Sequence, residues 1–294
     1  LQHPFDERTD TPLMYKAVPS WYVAVEKIVS QLMANNQAIN WVPNHIKNGR
    51  MGTWLAGARD WAISRNRFWG TPIPVWVCSE HEEHLEVFSS VEELEKRSGE
   101  KIDDIHKHFV DKVSFPCSKC QGKMKVVDAV FDCWFESGSM PYAQLHYPFE
   151  NKDRFDKVFP GDFIAEGLDQ TRGWFYLMVV MSTALFDRPP FKNCLCHGVV
   201  LAEDGKKLSK RLRNYPDPEE VFETIGSDAL RWFLVSSPVV RGGDLRIDED
   251  GKAIAESVRL VINPIWNAWY FFALYANTDG IQARMRFDSP HLLD

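Results

Sequence analysis

The chain has 294 residues, a formal net charge of -7 at pH 7, 45% hydrophobic and 13% aromatic residues. This is the composition of a globular protein with about two structural units, and the negative charge excludes a surface that captures polyanions wholesale. The longest apolar run, 261–276, is broken by Asn263, Pro264 and Asn267 and falls short of the ~20 apolar residues of a membrane span.

Residues 1–20 hold few apolar anchors and read as the exit segment of a preceding module, and the opening Leu1-Gln2-His3-Pro4 suggests a piece of a longer protein. With Ser20 as N-cap, Trp21, Ala24, Val25, Ile28, Leu32 and Met33 recur at helical spacing until Asn35-Asn36. Trp41-Val42-Pro43 reads as extended, and Thr53 caps a shorter helix to about Ala62 with Trp54, Leu55, Ala58 and Trp61 on one face. Between Ser64 and Pro74, two prolines and a glycine forbid a helix and give a rigid loop into the strand Val75-Trp76-Val77. Phe68 and Trp69 on that loop serve equally as a fixed aromatic wall or as core residues at a turn.

Cys78-Ser79-Glu80-His81 and Cys117-Ser118-Lys119-Cys120 are two-spacer knuckles. Two such pairs match a closed tetrahedral zinc site that staples a segment too small to hold itself together by burial, with His84 competing with His81 as the fourth ligand. A closed site has no open coordination position, so its role is structural. Ser90-Val91-Glu92-Glu93 between the knuckles is a capping-box pattern. The remaining cysteines pack: Cys133 beside an aromatic stretch, Cys194 and Cys196 on one face of a strand.

Gly161 to Ala165 reads as a buried strand that ends in Glu166-Gly167-Leu168-Asp169-Gln170, followed by an apolar helix from about Thr171 to Leu185. A strand, acidic turn and helix in that order form a ligand crevice at the carboxyl edge of a parallel α/β sheet. Alone, Asp169 is a plain N-cap and Glu166 a solvated loop residue. A second buried strand, Cys194 to Leu201, carries His197-Gly198 and leads to Gly205-Lys206-Lys207-Leu208-Ser209-Lys210-Arg211. By itself that cationic stretch is a solvated basic turn; beside an anion-binding crevice its lysines can follow charge developing on a phosphate. Helices then start near Asp217 and at Gly226-Ser227-Asp228, and a long one from about Ala253 to Ala276 is kinked at Pro264.

Four stretches, SRNRFWGTPIPVW (64–76), FDCWFESGSMPYA (131–143), EGLDQTRGWF (166–175) and HGVVLAEDGKKLSKRLRNYPDP (197–218), together resemble the class I aminoacyl-tRNA synthetases, and within them the isoleucyl branch more than the valyl or leucyl. Lys207-Leu208-Ser209-Lys210-Arg211 is similar to the family's KMSKS signature, with leucine for methionine and arginine for the last serine. The resemblance implies an α/β fold: the second half of a Rossmann-type parallel sheet, with a small zinc-knuckle insertion and a C-terminal α-helical segment. The implied layout is an editing-domain exit (1–20), catalytic domain (21–77), zinc-knuckle insertion (78–127), catalytic domain resumed and ending in the KMSKS-like loop (128–215), a stem-contact-like helical region (216–252) and the start of an anticodon-binding helical domain (253–294).

The resemblance further implies activation of L-isoleucine with Mg-ATP and transfer to tRNA(Ile), in a cytoplasmic, monomeric, membrane-free enzyme. Lys207, Ser209 and Lys210 would act on the pyrophosphate; Glu166, Gly167, Asp169, Gln170, His197 and Gly198 would hold the adenylate; Trp69 and Trp174 would wall the amino-acid pocket; and Cys78, His81, Cys117 and Cys120 would hold Zn2+. The family's His-Ile-Gly-His signature and most of its editing domain have no counterpart in the sequence, so the isolated chain is expected to be inactive. The rival reading is a non-catalytic, zinc-stabilised module that binds tRNA or a protein.

Overall fold

The computed structural model describes residues 4–6, 9–14, 16–66, 70–209, 212–282 and 287–288. Strands and helices alternate in the manner of a mixed α/β fold with a parallel sheet. A three-stranded sheet has the order Gly161–Gly167, Phe191–His197, Asn40–Val42, and the helix Trp174–Phe186 is the crossover between the first two. The chain divides into two compact units, one of residues 1–40, 44–164 and 169–194, the other of 41–43, 165–168 and 195–294.

The first unit is built on the helix Trp174–Phe186, whose residues Phe175 to Thr183 are all buried. A helix apolar all round can only be a central one. The helix Val29–Gln37 packs on it through buried Asn35, whose Nδ2 donates to Thr183 Oγ1 at 3.0 Å. The short helix Cys133–Gly138 comes so close that a Cβ on Gly138 would lie 2.9 Å from Met181 Sδ.

Two sequence expectations change here. The helix expected from Ser20 begins with a 3-10 turn at Val25–Ile28, and Tyr22–Val23 is instead a strand, antiparallel to Trp61–Ala62. The helix expected to reach Ala62 is only Gly52–Ala56. The cause is long-range: Ile63 N–H donates to Trp21 C=O at 2.8 Å and Trp21 N–H to Ser64 Oγ at 2.9 Å, so backbone groups that local helix would satisfy find partners some forty residues away.

The cysteine-bearing insertion is a four-stranded antiparallel sheet in the order Leu85–Val87, Val75–Cys78, Lys123–Val126, Ser114–Pro116. Its sheet takes in the whole strand Val75–Cys78, and a hydrogen bond from Val127 N–H to Val75 C=O at 2.9 Å joins the two edges of the segment. Contrary to expectation it has its own core, in which Trp76, Leu94, Val110, Val113, Phe115 and Met124 are buried. Ser90 caps the helix Val91–Ser98 by accepting from Glu93 N–H at 3.2 Å. From that helix Arg97 forks onto Glu86 at 2.7 and 2.8 Å and lies over the Phe115 ring.

In the second unit Val200–Ala202 runs parallel to Leu245–Ile247. Helices Pro218–Thr224, Ser227–Ser236 and Lys252–Ser257 enclose Val221, Ala229, Ile247 and Ile254. The expected kink at Pro264 takes the form of a π-helical stretch, Val258–Ile262, just before the helix Asn263–Thr278. That helix leaves Trp266, Trp269, Tyr270, Phe271 and Phe272 exposed. No described helix is long and apolar enough to cross a membrane.

The tightest approach in this unit is at Gly198, where a Cβ would sit 1.9 Å from Gly243 O. Gly198→Ala is therefore expected to cost about 3 kcal/mol or more, read as a lower urea midpoint at unchanged slope. Gly161→Ala, whose added carbon would meet only Pro190 O at 3.7 Å, is expected to stay within about 0.5 kcal/mol of the parent.

Candidate functional site

Cys78, His84, Cys117 and Cys120 each aim one ligand atom into a common space, and these atoms lie within 4.8 Å of one another. Three of the four were expected from the knuckle spacing; the fourth is His84 in place of His81. Cys78 N–H donates to His84 C=O at 3.1 Å and His84 N–H to His81 C=O at 3.0 Å, a tight turn that returns the chain to Cys78 with His84 inside. His81 stays exposed, its Nδ1 3.5 Å from Glu83 Oε1.

The surroundings suit thiolates. The backbone N–H groups of Glu80, Lys119 and Gly122 point at Cys78, Cys117 and Cys120 Sγ at 3.5, 3.4 and 3.4 Å. Those from Glu80 and Lys119 hold the Cys78 and Cys117 thiols below their ordinary range. Gly122 N–H pulls Cys120 the same way but is outweighed by Cys78, burial and Cys117, which push it up to about 11. Crowded sulfurs cannot all ionise without a cation between them. A Cβ on Gly122 would fall 2.6 Å from Cys78 Sγ, so the pocket is shaped tightly around the sulfur. Three thiols and an imidazole in a closed cluster fit a tetrahedral structural metal site.

The cationic loop belongs to the second unit. A bridge pairs Leu201 with Lys207, and Ala202 N–H donates to Lys206 C=O at 2.9 Å, so the chain folds back at Glu203 to Gly205. Lys206 is tied to Asp204 Oδ2 at 2.8 Å, which holds that carboxyl below its usual range. Lys207 is exposed and makes no ion pair among the described residues. Leu208 packs on the cluster of Val221, Ala229, Ile247 and Ile254. Asn214 closes the loop: its Oδ1 accepts from Ser209 N–H at 2.9 Å and its Nδ2 donates to Lys207 C=O at 3.2 Å. Sequence reasoning passed over Asn214, although an asparagine shortly after a cationic turn is a usable signal. Lys210 lies outside the described residues.

Also in the second unit, Glu166 is exposed and Gly167 buried at the end of their strand. His197 ends the strand Phe191–His197, with Nδ1 2.7 Å from Gly198 O. Gly198 N–H donates to Val239 C=O at 2.8 Å.

In the first unit, Gln170 Nε2 donates to Asp169 Oδ2 at 2.8 Å, while Gln170 Oε1 accepts from Trp174 N–H at 3.0 Å. Gln170 thus meets the first amide of the helix, which starts at Trp174 and not at Thr171. The half-buried Trp174 ring donates its Nε1–H to Ser137 C=O at 3.0 Å. Trp69 lies outside the described residues.

Residues 7–248 match the family model described as tRNA synthetases class I (I, L, M and V), and the chain belongs to that family. Within it, the isoleucine–tRNA ligases of Rickettsia africae and Rickettsia prowazekii are each 55% identical to this chain, over 99% of it. The chain spans 27% of the length of these relatives. Among solved structures, Mycobacterium tuberculosis methionyl-tRNA synthetase in complex with methionyl-adenylate is similar with a TM-score of 0.55 and 19% identity, covering 87% of this chain and 40% of that one. An Agrobacterium radiobacter LeuRS in a ternary complex with tRNA and LeuAMS is similar with a TM-score of 0.51 and 21% identity, covering 71% and 28%. These two likenesses bear on the fold.

Metal analysis of the purified protein separates the two histidines. His84→Ala is expected to lose most of about one bound metal equivalent and His81→Ala to keep it; the reverse result would return His81 to the ligand set.

Proposed function

We propose that this chain is the part of an isoleucine–tRNA ligase that carries the second half of the synthetic site: ATP-dependent activation of L-isoleucine to isoleucyl-adenylate, then transfer to tRNA(Ile). The observation that carries the reading is 55% identity to isoleucine–tRNA ligases along 99% of the chain, together with an exposed Lys207 on a loop pinned from both sides.

In this reading the isoleucine carboxylate attacks the α-phosphorus of Mg-ATP and pyrophosphate leaves. Lys207 and Lys210 meet the charge that moves toward the pyrophosphate, and Ser209 supplies a hydroxyl beside them. The protein forms no covalent intermediate; positioning and electrostatic stabilisation do the work. Glu166, Gly167, Asp169, Gln170, His197 and Gly198 hold the adenylate, carboxylates and amide accepting from ribose hydroxyls and the ammonium, glycines letting backbone approach. Trp69 and Trp174 wall the side-chain pocket. Gln170 is suited to a double task, since one end of its amide already holds Asp169 and the other the Trp174 amide.

The metal of the Cys78, His84, Cys117 and Cys120 group is zinc, and it supplies structural cross-linking of the insertion. It takes no part in the reaction. The enzyme acts away from any membrane, in the cytoplasm, as a monomer. The segments 216–252 and 253–294 contact the tRNA stem and open the anticodon-binding domain, and 1–20 leads out of the editing domain.

ATP–pyrophosphate exchange by a ligase of the relatives' length that contains this chain is expected to respond to isoleucine. Lys207→Ala should lower kcat by roughly 100-fold with a small change in isoleucine KM. A preference for leucine, valine or methionine would overturn the assignment.

A further inference from the structure

The short helix Cys133–Gly138 is a crossbar to which several segments of the first unit are tied by polar contacts. At its start Asp132 has a side chain only 5% exposed. Its Oδ2 accepts from the Trp61 indole Nε1–H at 3.0 Å and from Arg65 Nη2 at 2.7 Å. Its Oδ1 caps the helix by accepting from Trp134 N–H at 3.3 Å, and its own N–H donates to Ile63 C=O at 2.7 Å. The strand just before it pairs Phe131 with Ser64 and Val130 with Arg65, and Phe131 N–H donates to Thr71 C=O at 2.8 Å. One turn further on, Glu136 Oε1 accepts from Thr71 N–H at 2.7 Å and Ser137 C=O accepts from Trp174 Nε1–H at 3.0 Å. The helix therefore holds the Trp61–Arg65 segment at one end, Thr71 on its side and the Trp174 ring at the other end.

We propose that Asp132 is a positioning residue for amino-acid selection: by locking the Trp61–Arg65 segment to this helix it fixes where the helix presents Ser137, and so where the Trp174 ring stands. The inference rests on the reading of Trp174 as a wall of the amino-acid pocket. The chemistry favours a carboxylate for this task. A buried charge left without its partner is strongly unfavourable, so the Asp132–Arg65–Trp61 arrangement has one acceptable geometry where an apolar contact would tolerate sliding. A pocket that separates substrates by one methylene has only about 1–3 kcal/mol to work with, isoleucine against valine being the standard illustration, so a wall that drifts loses selectivity before it loses chemistry.

The test uses a ligase of the relatives' length that contains this chain, with Asp132→Ala, Asp132→Asn and Arg65→Gln compared by pyrophosphate exchange. Asparagine keeps the acceptor for the indole and the cap but loses the charge that faces Arg65. For Asp132→Ala the expected result is an isoleucine KM raised by roughly tenfold or more with ATP KM within about twofold, and a narrowed ratio of kcat/KM for isoleucine over valine. Asp132→Asn and Arg65→Gln should fall between it and the parent. Should Asp132→Ala fail to fold by circular dichroism melting, the other two variants decide. Folded Asp132→Asn and Arg65→Gln proteins with unchanged selectivity, or with equal shifts in both KM values, overturn the proposal. A parent enzyme that exchanges with another amino acid overturns the functional reading instead, and the same split measured with that amino acid then decides the inference.

Discussion

A carboxylate taken out of water is a constraint before it is an interaction. Asp132 is buried, and a lone buried charge costs several kcal/mol, so the chain has to bring donors to it. It brings an indole N–H from Trp61, a guanidinium from Arg65 and the cap amide of Trp134. Meeting that demand sets the short strands Tyr22–Val23, Trp61–Ala62 and Val130–Phe131 in register and orients the helix Cys133–Gly138. The apolar core follows from this placement: with the helix axis fixed, Gly138 can approach Met181 and the helix Trp174–Phe186 is covered. Apolar packing supplies most of the stability here, but the polar node sets the geometry.

The second unit solves a different problem, that of displaying a cation without letting its backbone wander. Leu208 is sunk among Val221, Ala229, Ile247 and Ile254, and the Asn214 amide grips the backbone on either side of it. The side chain of Lys207 stays exposed, with no ion pair among the described residues. Its neighbour Lys206 is spent on Asp204, so two adjacent lysines present one available charge. Leucine at this place is thus more than a tolerated replacement for methionine, since it is the apolar anchor of the loop.

What could be read in the sequence was local and chemical. Cysteine spacing located three of the four clustered ligands, because a knuckle is a short-range object. For the fourth it left His81 and His84 in competition, because a two-residue spacer rule does not know that the turn after Cys78 runs on to His84 before it returns. Apolar content found the central helix near its true limits. Helical spacing of apolar residues overran at Trp21 and Trp61, where the deciding partner lies some forty residues away. The KMSKS-like stretch was legible as a motif, and an asparagine soon after it hinted at a tether, but that the Asn214 amide bonds Ser209 N–H and Lys207 C=O at once is a fact of the folded loop. Gly198 was assigned by resemblance to adenylate binding; the folded chain gives it a separate steric duty against Gly243, which no one-dimensional pattern carries. Asp132, directly before Cys-Trp-Phe-Glu, carries an N-cap signal in the sequence, but its bonds to Trp61 and Arg65 join segments some seventy residues apart and belong to the fold alone.

The hydrogen bond between Val127 N–H and Val75 C=O has a bearing on how such a protein can change over time. It closes the insertion at its neck, and the segment between these residues has its own sheet, core and cluster of three sulfurs and an imidazole. Beyond the neck the segment also reaches residues just outside, Phe88 N–H donating to Pro74 C=O at 3.1 Å and Lys107 Nζ to Asp128 Oδ1 at 2.8 Å, and both of these partners sit within a residue of the neck. Changes to the hanging part that spare these points leave the host's backbone as it is, so selection can treat the far side of the insertion as an exchangeable part.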